Sequence, residues 1–156
     1  IQEIREWFDG PVALSGAIGH GRSILAAQAC GADLAYIGSA FIATAEANAD
    51  QGYKDGIVEG RAADIVYSNL FTGVHGNYLR QSIVSAGMDP DNLPEGDLKT
   101  MNFGSGGNTK VKAWKDIWGA GQGVGLIGDI LPVATLIARM KQEYRTAKAA
   151  LCSNPY

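Results

Sequence analysis

Two glycine-bearing loops carry the groups in this chain best suited to chemistry, and that chemistry is the holding of a phosphate. Ser15-Gly16-Ala17-Ile18-Gly19 follows the apolar run Pro11-Val12-Ala13-Leu14, and Tyr36-Ile37-Gly38-Ser39 closes the next apolar run. Where a strand gives way to a helix, the first backbone N–H groups of the helix have no internal acceptor and lie at the positive end of its dipole, so they attract anions. Ser39 adds a hydroxyl beside such an N–H. The blander reading is that Gly16 and Gly38 only permit tight turns, since a single strand-helix-strand unit with glycines is common. Two such loops in succession favour the phosphate.

The elements that must position these loops follow from the pattern around them. Pro11 to Leu14 and Leu34 to Ile37 are short and apolar enough for buried strands, and Arg22 to Cys30 reads as a helix that Gly31 stops in a left-handed conformation. A further helical pattern runs through Ala40-Phe41-Ile42-Ala43-Thr44-Ala45. The order strand, loop, helix, strand, loop, helix predicts parallel pairing, which puts both loops at the carboxyl ends of the strands. Consecutive loops used in this way form the phosphate site of many (β/α)8 barrels.

Pro11 to Glu46, with its GADLAYIGSAFIATAE continuation, resembles the last two strand-helix units of the nitronate monooxygenases, FMN-dependent barrel enzymes once called 2-nitropropane dioxygenases. Trp114-Lys115-Asp116-Ile117-Trp118-Gly119-Ala120-Gly121-Gln122-Gly123, followed by an amphipathic helix, is similar to the C-terminal segment of bacterial members. The resemblance implies an α/β chain, residues 1–156, that is the C-terminal portion of a single FMN-binding TIM barrel whose N-terminal half lies elsewhere. A barrel typically needs about 250 residues. The resemblance carries over Gly16, Ala17, Tyr36, Ile37, Gly38 and Ser39 as flavin-phosphate residues, Tyr36 and Ile37 mainly through their backbone. Gln122 is a further cofactor candidate, because an amide in a glycine-rich segment can hydrogen-bond flavin or substrate, or simply tie down its loop. The family has a Gly-Gly pair where this chain has Gly16-Ala17, and alanine keeps the N–H but is expected to lose access to positive φ.

The implied reaction is oxidation of an alkyl nitronate by FMN and molecular oxygen to a carbonyl compound and nitrite. The family's proposed catalytic histidine belongs to the N-terminal half, so no catalytic residue is assigned here. Two alternatives stand beside it: an NAD(P)H-dependent flavin reductase of quinones or enoyl thioesters, and a non-catalytic scaffold fragment. A chain cut from a closed barrel is expected to self-associate or to need its missing half.

The remaining candidates are weaker. His75, in the turn Thr72 to Asn77, is a candidate substrate contact, whereas His20, just past the first loop, is read as structuring that loop. Gly123-Val124-Gly125-Leu126-Ile127-Gly128 fits the dinucleotide pattern with Glu143 at the customary distance. No strand precedes it and Glu143 falls inside a helix, so these glycines are expected to let Trp118 to Gly128 lie close to the flavin or barrel mouth. Cys30 and Cys152 are too few for a disulfide framework and lack metal-ligand spacing; Cys30 is expected in the core.

Downstream, Tyr53 to Val58 predicts a short helix, Ala63 to Tyr67 an extended segment, and Tyr78 to Ala86 a helix stopped by Gly87. Residues 88–110 are expected to form a long loop. The final helix is predicted from Val133, Leu136, Ile137, Met140 and Tyr144, capped by Asp129, with Arg139, Lys141, Gln142, Glu143 and Arg145 facing away. A hydrophobic fraction of 46%, a charged fraction of 19% and a net charge of −3 suit a cytoplasmic globular chain. Nothing in that balance draws it to nucleic acid or an anionic membrane, and no apolar run is long enough to span one.

Overall fold

The computed structural model describes residues 1–96 and 113–153. Its first unit is the one that matters for the loops: β1 (Ala13–Ser15), α2 (Gly21–Ala29), β2 (Leu34–Tyr36) and α3 (Ser39–Ile42), preceded by the short α1 (Gln2–Arg5). β1 and β2 pair in parallel with Ser15 opposite Tyr36, so both following loops leave the same edge, as the sequence pattern requires. Gly31 closes α2 at φ +94°. Asp33 fastens the underside of the sheet: its carboxylate accepts from Val12 N–H at 2.8 Å and from the Arg5 guanidinium. These two donors hold the Asp33 carboxyl below its ordinary value of 3.8.

After α3 the chain forms α4 (Gln51–Glu59), a single 3-10 turn (Ala62–Asp64), and an antiparallel hairpin of β3 (Ile65–Ser68) and β4 (Gly76–Leu79). The helix expected from Tyr78 begins later, as α5 (Arg80–Ser85). Tyr78 and Leu79 extend instead because Leu79 pairs with Ile65 and donates its N–H to Trp118 O at 2.8 Å, partners that local spacing does not reveal. The residues 113–131 supply α6 (Ala113–Asp116) and a 3-10 turn at Gln122–Leu126 before the long α7 (Val133–Ser153). Of the loop expected over 88–110, residues 88–96 form neither helix nor strand, and the remainder lies outside the described residues.

The main core is built where α3, α4, the second 3-10 turn and α7 meet, with Ala40, Ala43, Ile57, Leu79, Val124, Ile127, Leu136 and Met140 buried together. Helix α7 lies along α2, and the contact is very close at Gly21: a Cβ there would stand 2.2 Å from Met140 O and 2.4 Å from Tyr144 N. Three expectations are corrected by this packing. Glu143 and Arg139 do not face away; Glu143 turns onto α2 and accepts from Gly21 N–H at 2.8 Å, with Arg139 beside it at 3.6 Å. Asp129 does not cap α7; the Glu46 carboxylate takes the Val133 N–H at 2.9 and 3.0 Å, while Asp129 pairs with Arg139. Cys30 is exposed at the end of α2, because the helix stops one residue short of it and the core face ends at Ala27.

One face of the parallel sheet is uncovered. Leu34 and Tyr36, two residues apart on β2 and so on the same side, are 61% and 67% exposed. Parallel sheets are ordinarily covered on both faces, and among the described residues this one has two strands and therefore two free edges. The isolated chain is expected to self-associate; sedimentation should show oligomers or aggregates, and a monomer with a sharp, concentration-independent thermal transition would contradict this.

Candidate functional site

The first loop turns sharply through Gly16 at φ +107° and Ala17 at φ +54°. The expectation that alanine loses positive φ is therefore overturned, although the left-handed region costs an L-residue roughly 1–2 kcal/mol. A neighbour distant in sequence fits against this turn. Gly123 packs so closely that a Cβ on it would lie 2.8 Å from the Ala17 carbonyl carbon.

The second loop is fixed from the same direction. Ser39 Oγ accepts from Gly121 N–H at 3.1 Å, which leaves the hydroxyl proton free to donate to an anion in front of the loop. Gly38 and Ser39 open α3, where the Phe41 and Ile42 N–H groups bond to Gly38 O, while the Ser39 and Ala40 N–H groups have no backbone acceptor among the described residues. Behind the loop Ala40 and Ala43 are buried, yet a Cβ built on Gly38 or on Gly16 meets no atom within 4 Å. Both loops thus have packed backs and open fronts, as a phosphate cradle needs. Ile37 packs against the core while Tyr36 is exposed, in keeping with the strand alternation.

Gln122 sits between the two glycines that touch the loops and faces the Asn77 amide, with both cross-contacts at 3.5 Å. It is exposed and adjacent to the cradle. His75 is placed differently. Its ring stacks on Tyr67 with centroids 4.8 Å apart at the end of the β3–β4 hairpin, and Asn77, two residues on, is the hairpin residue that reaches Gln122. His20 structures the loop end, as expected, by accepting from Arg22 N–H through Nδ1 at 3.0 Å.

The close approach expected of the glycines between Trp118 and Gly128 is met at Gly123, which packs on the first loop. Gly121, Asn77 and Glu143 also take part in this arrangement, and no local sequence signal assigns them to it. The glycines at 123, 125 and 128 follow no strand and lie largely in a 3-10 turn, so the dinucleotide pattern has no structural context. A cleft of about 260 Å³ lined by Gly56, Glu59, Gly60, Leu79 and Arg80 contains none of the candidate residues. Among the described residues no group of His, Cys, Asp and Glu is placed to hold a metal, and no helix is long and apolar enough to cross a membrane.

Ser39→Ala tests the link between loops directly. It leaves the Gly121 N–H without its acceptor, so thermal denaturation should show a loss of about 1–3 kcal/mol. Unchanged stability would mean that Gly121 is held by other contacts.

The family model for nitronate monooxygenase matches residues 1–143. The chain belongs to the nitronate monooxygenase family. Among its curated relatives, the nitronate monooxygenase of Paraburkholderia phytofirmans is 30% identical over 142 residues, covering 86% of this chain and 38% of that protein. A probable nitronate monooxygenase of Staphylococcus haemolyticus is 25% identical, covering 76% and 34% respectively. The chain thus spans well under half the length of the family members it matches. A solved nitroalkane oxidase from Streptomyces ansochromogenes is similar in structure, with TM-score 0.72, 27% identity, and coverage of 95% of this chain and 43% of that one. FabK from Thermotoga maritima, at TM-score 0.68 and 22% identity over 97% of this chain and 49% of its own, shares the fold. Both neighbours are barrel enzymes, and the chain is α/β like the parts of them it covers.

Proposed function

We infer that this chain supplies the phosphate-holding part of an FMN-dependent (β/α)8-barrel enzyme that oxidises alkyl nitronates with molecular oxygen. The observation that carries the reading is the meeting of three segments, Gly16–Ala17, Gly38–Ser39 and Gly121–Gly123, at two loops with open fronts. The bound flavin supplies the electron transfer. The residues of this chain bind and orient: the Ser39 and Ala40 N–H groups and the Ser39 hydroxyl are available to an anion, and Gly123 packs against the Ala17 turn. Gln122, with Asn77 beside it, offers amide donors and acceptors next to the cradle. His75, exposed on the hairpin, is a candidate contact for substrate reaching past Asn77.

The base that acts on the nitronate belongs, in this reading, to the part of the barrel outside this chain, which also covers Leu34 and Tyr36. The enzyme works in the cytoplasm, with homo-oligomerisation open to measurement. The family match and the nitroalkane oxidase neighbour support this chemistry over reduction of quinones or enoyl thioesters, for which the FabK likeness offers fold alone.

The test uses the full-length enzyme carrying this chain. With FMN bound, an alkyl nitronate and oxygen should give nitrite and a carbonyl product, while anaerobic NADH should leave the flavin oxidised. Rapid bleaching by NADH without nitrite release would replace the reading with a reductase. Residues 1–156 alone should release no nitrite even with added FMN; sustained release, lost on replacing His20 or His75, would put the base in this chain.

A further inference from the structure

We propose that His20 is a positioning residue for the first phosphate loop, acting through the start of α2 and through Glu143 on α7. The proposal rests on the reading of that loop as a cofactor-phosphate site.

The imidazole is used at both nitrogens. Nδ1 accepts from Arg22 N–H at 3.0 Å, and Nε2 stands 3.3 Å from Glu143 Oε1, so the network assigns the proton to Nε2. The other oxygen of Glu143 accepts from Gly21 N–H at 2.8 Å, and Ser23 N–H bonds to His20 O at 2.9 Å. The first three N–H groups of α2 are therefore all taken by the protein. A carboxylate already occupies the positive end of this helix, so in the proposed site the anion is held by the loops and not by α2. What α2 contributes is a fixed end for that loop. Its other end leaves β1, and Gly123 presses on Ala17 between them.

Asparagine is a strong helix cap that lacks the imidazole, so His20→Asn separates capping of the Arg22 N–H from loss of the side chain. The experiment measures FMN affinity by flavin fluorescence in the full-length protein at about pH 8, for wild type, His20→Asn, His20→Ala and Gly38→Val. His20→Ala should bind about fivefold more weakly than wild type, and His20→Asn should restore affinity. In the flavin-free protein, the hydrogen-exchange protection of the Arg22 and Ser23 amides should fall in His20→Ala and hold in His20→Asn. If Gly38→Val weakens FMN but His20→Ala does not, or if His20→Asn binds as weakly as His20→Ala, the positioning role is overturned and the phosphate site stands. If neither Gly38→Val nor His20→Ala affects FMN, the phosphate reading itself fails and takes this proposal with it.

Discussion

Gly21→Ala is expected to be the most damaging single substitution in the described part of the chain, lowering stability by about 3 kcal/mol or more. The methyl group would stand 2.2 Å from Met140 O, 2.4 Å from Tyr144 N and 2.7 Å from Glu143 Cβ. Two of those atoms are backbone in the interior of α7, so no side-chain rotation relieves the overlap. The helix must move away from α2, which breaks the Glu143 bond to Gly21 N–H and loosens Met140, a member of the main core. Thermal unfolding of the full-length protein measures the effect. A change below about 1 kcal/mol would mean that α2 and α7 are not packed as closely as their geometry indicates.

Gly38→Val has the opposite character, a large functional effect with a small structural one. Gly38 has φ −105°, which other residues adopt, and its added Cβ meets no protein atom within 4 Å. Folding should therefore change by no more than about 1 kcal/mol, mostly from the altered helix start. The new methyl groups fill the open front of the cradle where the phosphate is proposed to lie, and FMN affinity should fall at least about 100-fold. Ser39→Ala should weaken FMN less, because it removes one hydroxyl and leaves the space open. Flavin content of the purified full-length variants decides the matter: a Gly38→Val protein that is stable and fully loaded with FMN would refute the phosphate assignment.

The parts of this structure legible in the sequence are those whose causes are local. β1, α2, β2 and α3 are contiguous, with glycines in the turns between them, and their order alone sets parallel pairing and brings both loops to one edge. The core face of α7 is legible at Leu136 and Met140 because a 3.6-residue period records which side is buried. What escaped the reading is contact between remote segments. Nothing near Ala17 in sequence predicts positive φ, and the Gly123 backbone that packs against it lies more than 100 residues away. Tyr78 and Leu79 have helical spacing, yet pairing with β3 and with Trp118 draws them into a strand. Glu143 looks like one more charge on a solvated helix face until Gly21, 122 residues earlier, is placed beneath it. The candidate site follows the same division, with its loops visible and their clamps hidden.

The contact between Gly21 and Glu143 also sets an order of events during synthesis. A ribosome makes β1, the first loop and α2 long before it makes α7, so the Glu143 contact at the end of that loop cannot form until α7 has been made. Such long-range closure comes late in folding, since a large loop must be ordered before the contact forms. Flavin retention would then report on the presence of α7: a product ending ahead of it carries every residue of both candidate phosphate loops and still lacks the Glu143 contact at the Gly21 end of the first. The yellow colour of a purified preparation would serve as a direct assay for chains truncated before this helix.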